Sequence, residues 1–517
     1  MSLIKSTATI GGYTLLSRVL GFVRDVTIAS TLGASFLSDA FFVAFKLPNY
    51  LRRLFAEGAF NSAFIPMFAG QLAVDGHEKA KRFSGEAMSF LLVILLAVTG
   101  IFIVFMPQLM CVLAPGFSDD PAKFALTVTL TRITMPYIIF ISLVSLLGGV
   151  LNSSDKFAAV AATPVIMNLC LIIIPYFIGP ITPTGAHALA IAVLVSGVAQ
   201  WLWLVYFCHK RGLLPPLTRP RLSPDVKKLL LLIAPVALGA GVAQINLFID
   251  TIIASYFNSG VSYLYYADRI NELPLAVIGI AVGTALLPLL SRQIREGKHA
   301  EASKSQNHAI ELALFLSLPA AVALVVIAEP IITVMFQRGA FGTVETIATY
   351  RALIAFALGL PAFILAKILS PAFYAHQDTK TPFKIAMVCI VVNLVFNLVL
   401  MGPLRHVGMA LATSIAGWVN VILLVILLLK RQWLIIESNL IRQIFNILTA
   451  SLAMAAALHI LKDYAPLYLH SGEFKRFVAL IVLAGLGALV YFAAGLALNT
   501  MNMRDIAINR FRRNRPR

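Results

Sequence analysis

The feature that most constrains this chain is the recurrence of apolar runs of about 20 residues along its whole length. A helix needs about that many apolar residues to cross a hydrocarbon core roughly 30 Å thick. Only 12% of the 517 residues are charged, against about 25% in soluble domains. The sequence therefore predicts an all-α polytopic membrane protein with about 14 transmembrane helices. The predicted spans are 9–33, 36–68, 87–107, 125–151, 158–180, 185–208, 228–257, 261–290, 308–330, 346–375, 384–402, 406–429, 441–461 and 476–499.

Lysine and arginine are distributed unevenly between alternate connections. If the N-terminus is cytoplasmic, 25 of them fall in inward connections and the C-terminal tail, and 6 fall in outward ones, Lys123 among them. The positive-inside rule then places both termini in the cytoplasm. The net charge of +18 follows mostly from this topology, and the basic tail 504–517 is predicted to bind anionic membrane lipids rather than nucleic acid.

Motifs for covalent chemistry and metal binding are absent from the sequence. Its nine histidines form no HExxH spacing, and it contains no GxxxxGK[ST] phosphate loop. Four cysteines lie in or beside different predicted spans without a CxxC pair, which is typical of inert packing residues. The connections are too short for a catalytic domain. The sequence therefore predicts a transporter without a bound cofactor rather than an enzyme.

A weak internal repeat divides the chain into two halves. A shift of 225 residues aligns Pro136 with Pro361, Ser145 with Ser370 and Asn168 with Asn393. Chance similarity between apolar helices is the alternative explanation. Duplication predicts an N-lobe of six spans at 1–222 and a C-lobe of six spans at 223–432, followed by two extra spans within 433–503. Transporters built from parallel repeats bind their substrate in a central cavity between the lobes.

Charged residues are concentrated in the first two predicted spans, where lipid exposure of each would cost about 2.5–3.5 kcal/mol. They are Arg18, Arg24, Asp25, Asp39, Lys46, Arg52, Arg53 and Glu57. Because five are basic and three acidic, the sequence predicts a hydrated cavity that receives an anion. In the second half, Asp268, Arg269 and Glu272 form a similar group, for which an internal Arg269–Glu272 ion pair is the simpler alternative.

Helix geometry limits which of these side chains can converge. At 100° per residue, Arg18 and Asp25 lie on one face and Arg24 points about 120° away, so convergence requires a bend, which Gly21 would permit. Adjacent Arg52 and Arg53 diverge by about 100°, so only one is expected to face the cavity.

Four segments resemble the hallmark motifs of the MurJ (MviN) family: SRVLGFVRD from Ser17, SDAFFVAFKLPN from Ser38, LRRLFAEGAF from Leu51 and YYADRINELP from Tyr265. The resemblance extends through all the predicted spans. It implies a lipid II flippase of the multidrug/oligosaccharidyl-lipid/polysaccharide exporter superfamily, located in the bacterial cytoplasmic (inner) membrane. Such a protein moves the undecaprenyl-diphosphate-linked peptidoglycan precursor from the cytoplasmic to the periplasmic leaflet by alternating access.

The resemblance also implies roles for individual residues. The substrate-binding candidates are Arg18, Arg24, Arg52 and Arg269, and the gating or charge-pairing candidates are Asp25, Asp39, Arg53, Glu57, Asp268 and Glu272. The two extra spans are expected to form a groove for the lipid tail, and the cell-wall synthesis machinery is an expected partner. Transport is expected to use the membrane potential or a monovalent cation. Asp250, Asn393 and Asn397 are weak candidates for a cation site, with helix–helix hydrogen bonding as the alternative.

Two other functions remain open. A cation-coupled exporter of drugs, or of another polyprenyl-linked oligosaccharide, has the same scaffold, but the arginine excess argues against cationic drugs. A membrane enzyme acting on polyprenyl-linked sugars also needs arginines for a diphosphate, together with a base or a metal-binding carboxylate cluster.

Overall fold

Helices form all of the regular secondary structure in the residues that the computed structural model describes, which are 3–53, 60–154, 156–462 and 472–500. The predicted all-α membrane class is confirmed. Residue contacts divide the chain into two units. Unit 1 comprises Met1–Ser262 with Arg338–Phe341, and unit 2 comprises Tyr263–Gln337 with Gly342–Arg517.

Unit 1 is built around α10, which packs against α7 and α9. Its helices are α1 (Leu3–Leu32), α2 (Phe36–Leu51), α3 (Asn61–Val74), α4 (His77–Val104), α5 (Met106–Leu113), α6 (Pro121–Thr134), α7 (Tyr137–Asn152), α8 (Phe157–Ala161), α9 (Thr163–Ile178), α10 (Gly185–His209) and α11 (Pro224–Ala254). α1 lies on α9, and α2 lies between α6 and α10. Gly197 of α10 permits this close packing, because a side chain there would overlap the ring of buried Tyr137.

In unit 2, α13 is the central helix and contacts α16 and α18. The helices that lie mainly in this unit are α12 (Gly260–Arg295), α13 (His299–Val326), α14 (Ala328–Phe336), α15 (Thr343–Ala357), α16 (Leu360–Ala375), α17 (Lys380–Lys430), α18 (Ser438–Lys462) and α19 (Glu473–Ala497). The last two, which correspond to the predicted extra spans, pack against each other. The Tyr491 hydroxyl of α19 donates to the Phe315 carbonyl of α13 at 2.7 Å.

Within the described residues, nine helical segments are long and apolar enough to cross a membrane. One of them contains two predicted spans. The predicted spans 384–402 and 406–429 both lie in α17, on either side of Arg405, whose φ of 49° and ψ of −133° interrupt the helical backbone. The total of fourteen spans stays a prediction.

The units defined by contacts change at Ser262, and the lobe boundary predicted at 222/223 stays a prediction. The whole of α11 belongs to unit 1 because both of its ends contact that unit. Gln71 donates to the Asp225 carboxylate at 2.9 Å near the start of α11, and the rings of Tyr50 and Phe248 are 4.7 Å apart toward its end. The predicted site residue Glu57 and the basic tail from 504 onward lie outside the described residues.

Candidate charged sites

Arg24 of α1 lies in a buried network of polar side chains. Its Nε and Nη2 donate to one carboxylate oxygen of Asp25, at 3.0 and 2.7 Å. Its Nη1 donates to the Asn168 side-chain oxygen of α9 at 3.0 Å. The Asn168 amide nitrogen in turn donates to the Ser17 carbonyl at 2.9 Å. These contacts place a charge-balanced arginine between α1 and α9.

This network determines how Arg24 can act on a ligand. The guanidinium already donates from all three of its nitrogens, and its carbon lies 5.9 Å from the centre of the Phe45 ring. An anion that binds the N–H groups that face Asp25 or Asn168 must therefore replace one of these contacts. Such an exchange of partners gives bound and free states different internal contacts, which a ligand-driven conformational change requires.

The other predicted arginines of unit 1 are more accessible than Arg24. Arg18 is exposed on the same helix. Because α1 is one uninterrupted helix through Gly21, the side chains of Arg18 and Arg24 keep their angular separation. At the end of α2, Arg52 is half-buried and its Nε donates to the Asn49 side-chain oxygen at 3.2 Å, whereas Arg53 is exposed. The convergence of Arg18, Arg24 and Arg52 with Arg269 on one ligand stays a prediction.

Asp39 of α2 is fully buried in a second network. One carboxylate oxygen accepts from the Ser262 backbone N–H at 2.9 Å and from its hydroxyl at 2.6 Å. The other accepts from the Lys123 ammonium at 2.7 Å. Lys123 is also buried, and its Nζ lies 3.9 Å from the centre of the Phe117 ring, a cation–π contact.

Sequence reasoning missed Lys123 and gave Asn168 no functional role. The sequence analysis counts Lys123 only as an outward charge, and the structure places it in the first turn of α6. Asp120 caps that helix by accepting from the Ala122 and Lys123 backbone N–H groups, and Pro121 opens it. The Asp-Asp-Pro sequence is a helix-start signal that would have placed Lys123 inside the helix. Asn168 appeared only as a partner in the repeat.

The charged residues of α12 have a more open environment. Arg269 Nη1 donates to Glu272 Oε2 at 3.0 Å, so the simpler alternative, an internal ion pair, is present. Asp268 is half-buried beside it. The aromatic neighbours anchor this helix within unit 2, with the ring of buried Tyr266 5.0 Å from that of Phe336.

The weak cation candidates are hydrogen-bonded polar residues. Asn397 donates to the Asn393 oxygen at 2.9 Å, and Asn393 donates to the Thr413 hydroxyl at 3.3 Å, all within α17. In α11, the Asn246 side-chain nitrogen donates to an Asp250 carboxylate oxygen at 3.5 Å. Within the described ranges, no cluster of three or more His, Cys, Asp or Glu side chains has the spacing of a metal site. A cation site at these positions stays a prediction.

A charged contact outside the spans joins two connections of unit 2. Asp378, between α16 and α17, pairs with Arg431 at the end of α17 and accepts from the Thr381 hydroxyl at 2.5 Å. These hydrogen bonds and the nearby positive charge hold the pKa of Asp378 below its ordinary value. Arg431 also lies over the Trp433 ring, 4.8 Å from its centre.

Comparison with known proteins identifies the family. Residues 28–479 match the family model described as Lipid II flippase MurJ. The chain belongs to the MurJ family. This MurJ-family chain is 42% identical to a probable lipid II flippase MurJ of Rhizobium meliloti (strain 1021), over 98% of the chain and 96% of that protein. It is 39% identical to a probable lipid II flippase MurJ of Rickettsia prowazekii (strain Madrid E), over 97% of the chain and 99% of that protein.

Solved structures of relatives have the same fold. A structure titled as the inward closed conformation of lipid II flippase MurJ is 28% identical and aligns with a TM-score of 0.79, over 96% of the MurJ-family chain and 99% of that protein. An inward-facing multidrug resistance MATE transporter of the MOP superfamily is 16% identical and aligns with a TM-score of 0.67, over 80% of the MurJ-family chain and 94% of that protein. The fold is therefore that of a multi-pass membrane transporter.

Proposed function

We propose that this protein is a lipid II flippase that carries lipid II from the cytoplasmic to the periplasmic leaflet of the bacterial inner membrane. The family match and the names of its full-length relatives support this substrate. The excess of lysine and arginine in alternate connections supports an orientation with both termini in the cytoplasm. The substrate crosses chemically unchanged.

The observation that carries this proposal is the buried Arg24 network within an apolar helix bundle. A guanidinium donates two parallel hydrogen bonds to phosphate oxygens and keeps its charge when it is removed from water. In our proposal the diphosphate of lipid II takes over contacts that Arg24 makes with Asp25 and Asn168. Arg18, Arg52 and Arg269 contribute further positive charge, and the acidic partners hold the arginines between transport cycles.

The driving force and the path of the lipid tail complete the proposal. Outward movement of an anion is favoured by the membrane potential by about 2.3 kcal/mol per elementary charge per 100 mV, and a coupled monovalent cation is the second candidate. The undecaprenyl tail stays in lipid along a groove formed by α18 and α19. The cell-wall synthesis machinery supplies and consumes the substrate.

Depletion and complementation test this function in cells. Arg24→Ala is expected to fail to complement and to cause lysis with accumulation of lipid II. Arg82→Ala is the matched control, because this exposed arginine forms only a helical-surface pair with Glu86. Full complementation by Arg18→Ala, Arg24→Ala, Arg52→Ala and Arg269→Ala, each tested singly, would refute the site assignment.

Turnover of lipid II in proteoliposomes distinguishes the flippase from the two other functions. Transbilayer movement of intact lipid II is the expected result. Recovery of a chemically altered product would instead indicate the membrane enzyme. Movement of cationic drugs without movement of lipid II would indicate a drug exporter with the fold that the MATE similarity shows.

A further inference from the structure

The two oxygens of the Asp39 carboxylate have different partners. One accepts the Ser262 backbone N–H and hydroxyl, and the other accepts the Lys123 ammonium. Ser262 is in the first turn of α12, where backbone N–H groups have no acceptor within the helix. Asp39 is therefore an anionic cap for α12 supplied by a different helix, and the positive end of the α12 dipole favours its charge.

The turn before α6, at Pro115–Asp119, contacts the α11–α12 connection at a second point. The Gly116 N–H donates to the Ser255 hydroxyl at 3.0 Å, and a side chain at Gly116 would overlap the backbone of Ser255 and Tyr256. Ser259, in the same connection, has a φ of 57°, a left-handed conformation that non-glycine residues rarely adopt. The surrounding contacts thus fix both ends of this short connection.

Burial makes the lysine essential to the cap. Asp39 is 0% exposed and Lys123 is 5% exposed. A buried carboxylate without a cationic partner takes up a proton or is strongly destabilised. A protonated carboxyl group is a weaker acceptor for Ser262 and carries no charge to interact with the helix dipole. Lys123, seated on Phe117, therefore sets both the charge and the orientation of the cap.

We propose that Lys123 is a positioning residue for transport, which holds the Asp39 carboxylate in place so that Asp39 fixes the start of α12. The chain passes from unit 1 into unit 2 directly after Ser262, and the same helix carries Asp268, Arg269 and Glu272 further along. Lys123 therefore acts through Asp39 on the first turn of the helix that carries this charged segment. The link to transport rests on the proposed function, whereas the link between Lys123 and Asp39 does not.

The test is a double-mutant cycle with Lys123→Met and Asp39→Asn. Each single variant leaves one buried charge without its partner, so we expect reduced accumulation in the membrane and reduced lipid II transport. The double variant has no buried charge at this site, and its asparagine oxygen still accepts from Ser262. We expect its transport to exceed that of Lys123→Met by about tenfold, a difference of about 1.4 kcal/mol between these two variants.

Two controls separate the possible outcomes. Lys123→Arg keeps the positive charge and is expected to retain more transport than Lys123→Met. Arg132→Met removes an exposed cation from the same helix and is expected to behave as the wild type. The proposal is overturned if Lys123→Met behaves like Arg132→Met, or if Asp39→Asn gives no recovery on the Lys123→Met background, including the case in which neither variant accumulates. If the wild type moves no lipid II, the proposed function fails, while coupling between Asp39 and Lys123 in unfolding measurements still tests the cap.

Discussion

Arg24 of α1 and Arg269 of α12 occupy opposite environments although the same role is predicted for both. The Arg24 side chain is 7% exposed and its partner Asp25 is 0% exposed. For the Arg269–Glu272 pair the corresponding values are 34% and 47%. Arg24 is also held by Asn168 of another helix, whereas Glu272 is one turn away from Arg269 on the same helix.

Because the Arg24–Asp25 pair is buried and the Arg269–Glu272 pair is exposed, the two arginine–carboxylate pairs are expected to differ in their contribution to stability. Removing one partner of a buried ion pair costs about 3–5 kcal/mol, because the remaining charge has lost its compensation. Exposed pairs contribute at most about 1 kcal/mol, because water and salt screen them. We therefore expect the Arg24 network to hold the fold as well as the ligand, and the Arg269 pair to hold little more than its own helix turn.

The largest effect is expected for Arg24→Met, which leaves the Asp25 carboxylate buried without the Arg24 guanidinium. The free energy of unfolding, measured by SDS titration in detergent, should fall by about 3–5 kcal/mol. Arg24→Met combined with Asp25→Asn is the control and should recover most of this loss. An equal loss in the single and the double variant would show that burial of charge is not the cause.

Asn168→Ala should have the next largest effect, because it removes an acceptor from the Arg24 guanidinium and a donor to Ser17. We expect a loss of about 1.5–3 kcal/mol, typical of a hydrogen bond to a charged group. Asn446→Ala is matched to it, since the Asn446 side chain donates to the neutral Leu498 carbonyl. If the two variants lose the same stability, the charge of Arg24 does not strengthen the Asn168 contact.

The Asp378–Arg431 pair of unit 2 should show a smaller effect that depends on pH. Asp378→Asn is expected to lose at most about 1 kcal/mol at pH 7, because the pair is partly exposed. The pKa of Asp378 is lowered in the folded state, so its contribution is present above the unfolded-state pKa of about 3.9 and disappears as the pH falls through the folded-state value. Unfolding of both proteins between pH 7 and pH 3 checks this, and a difference that grows on acidification would contradict it.

Glu272→Gln should have the smallest effect on stability, about 0.5 kcal/mol or less, as expected for an exposed pair on one helix. Its effect on transport is the sharper measurement. If Glu272 holds Arg269 between transport cycles, the variant should unfold like the wild type and differ from it only in the rate of lipid II movement. A clear loss of stability would remove the distinction between the two arginine environments.

Local patterns in the sequence predicted the helical spans and the charged residues within them, but not the contacts between helices. Apolar runs predicted helical spans because a bilayer imposes their length. The arginines of the first two spans were identifiable because charge is rare there. Whether a given arginine is buried or exposed depends on the neighbouring helix. Arg18 and Arg24 are six residues apart in one helix, and contacts with Asn168 of α9 and Phe45 of α2 distinguish the environment of Arg24.

By itself the sequence determined the helical membrane class, the MurJ resemblance and the set of charged residues available for an anion. The tertiary structure alone decided that Asn168 holds Arg24, that Lys123 neutralises Asp39, and that Asp39 caps α12. The reason is that the strength of a charge interaction depends on distance and on exclusion of water. Asp39 and Lys123 are 84 positions apart, and Arg24 and Asn168 are 144 positions apart. These pairs come into contact, away from water, only when the helices pack.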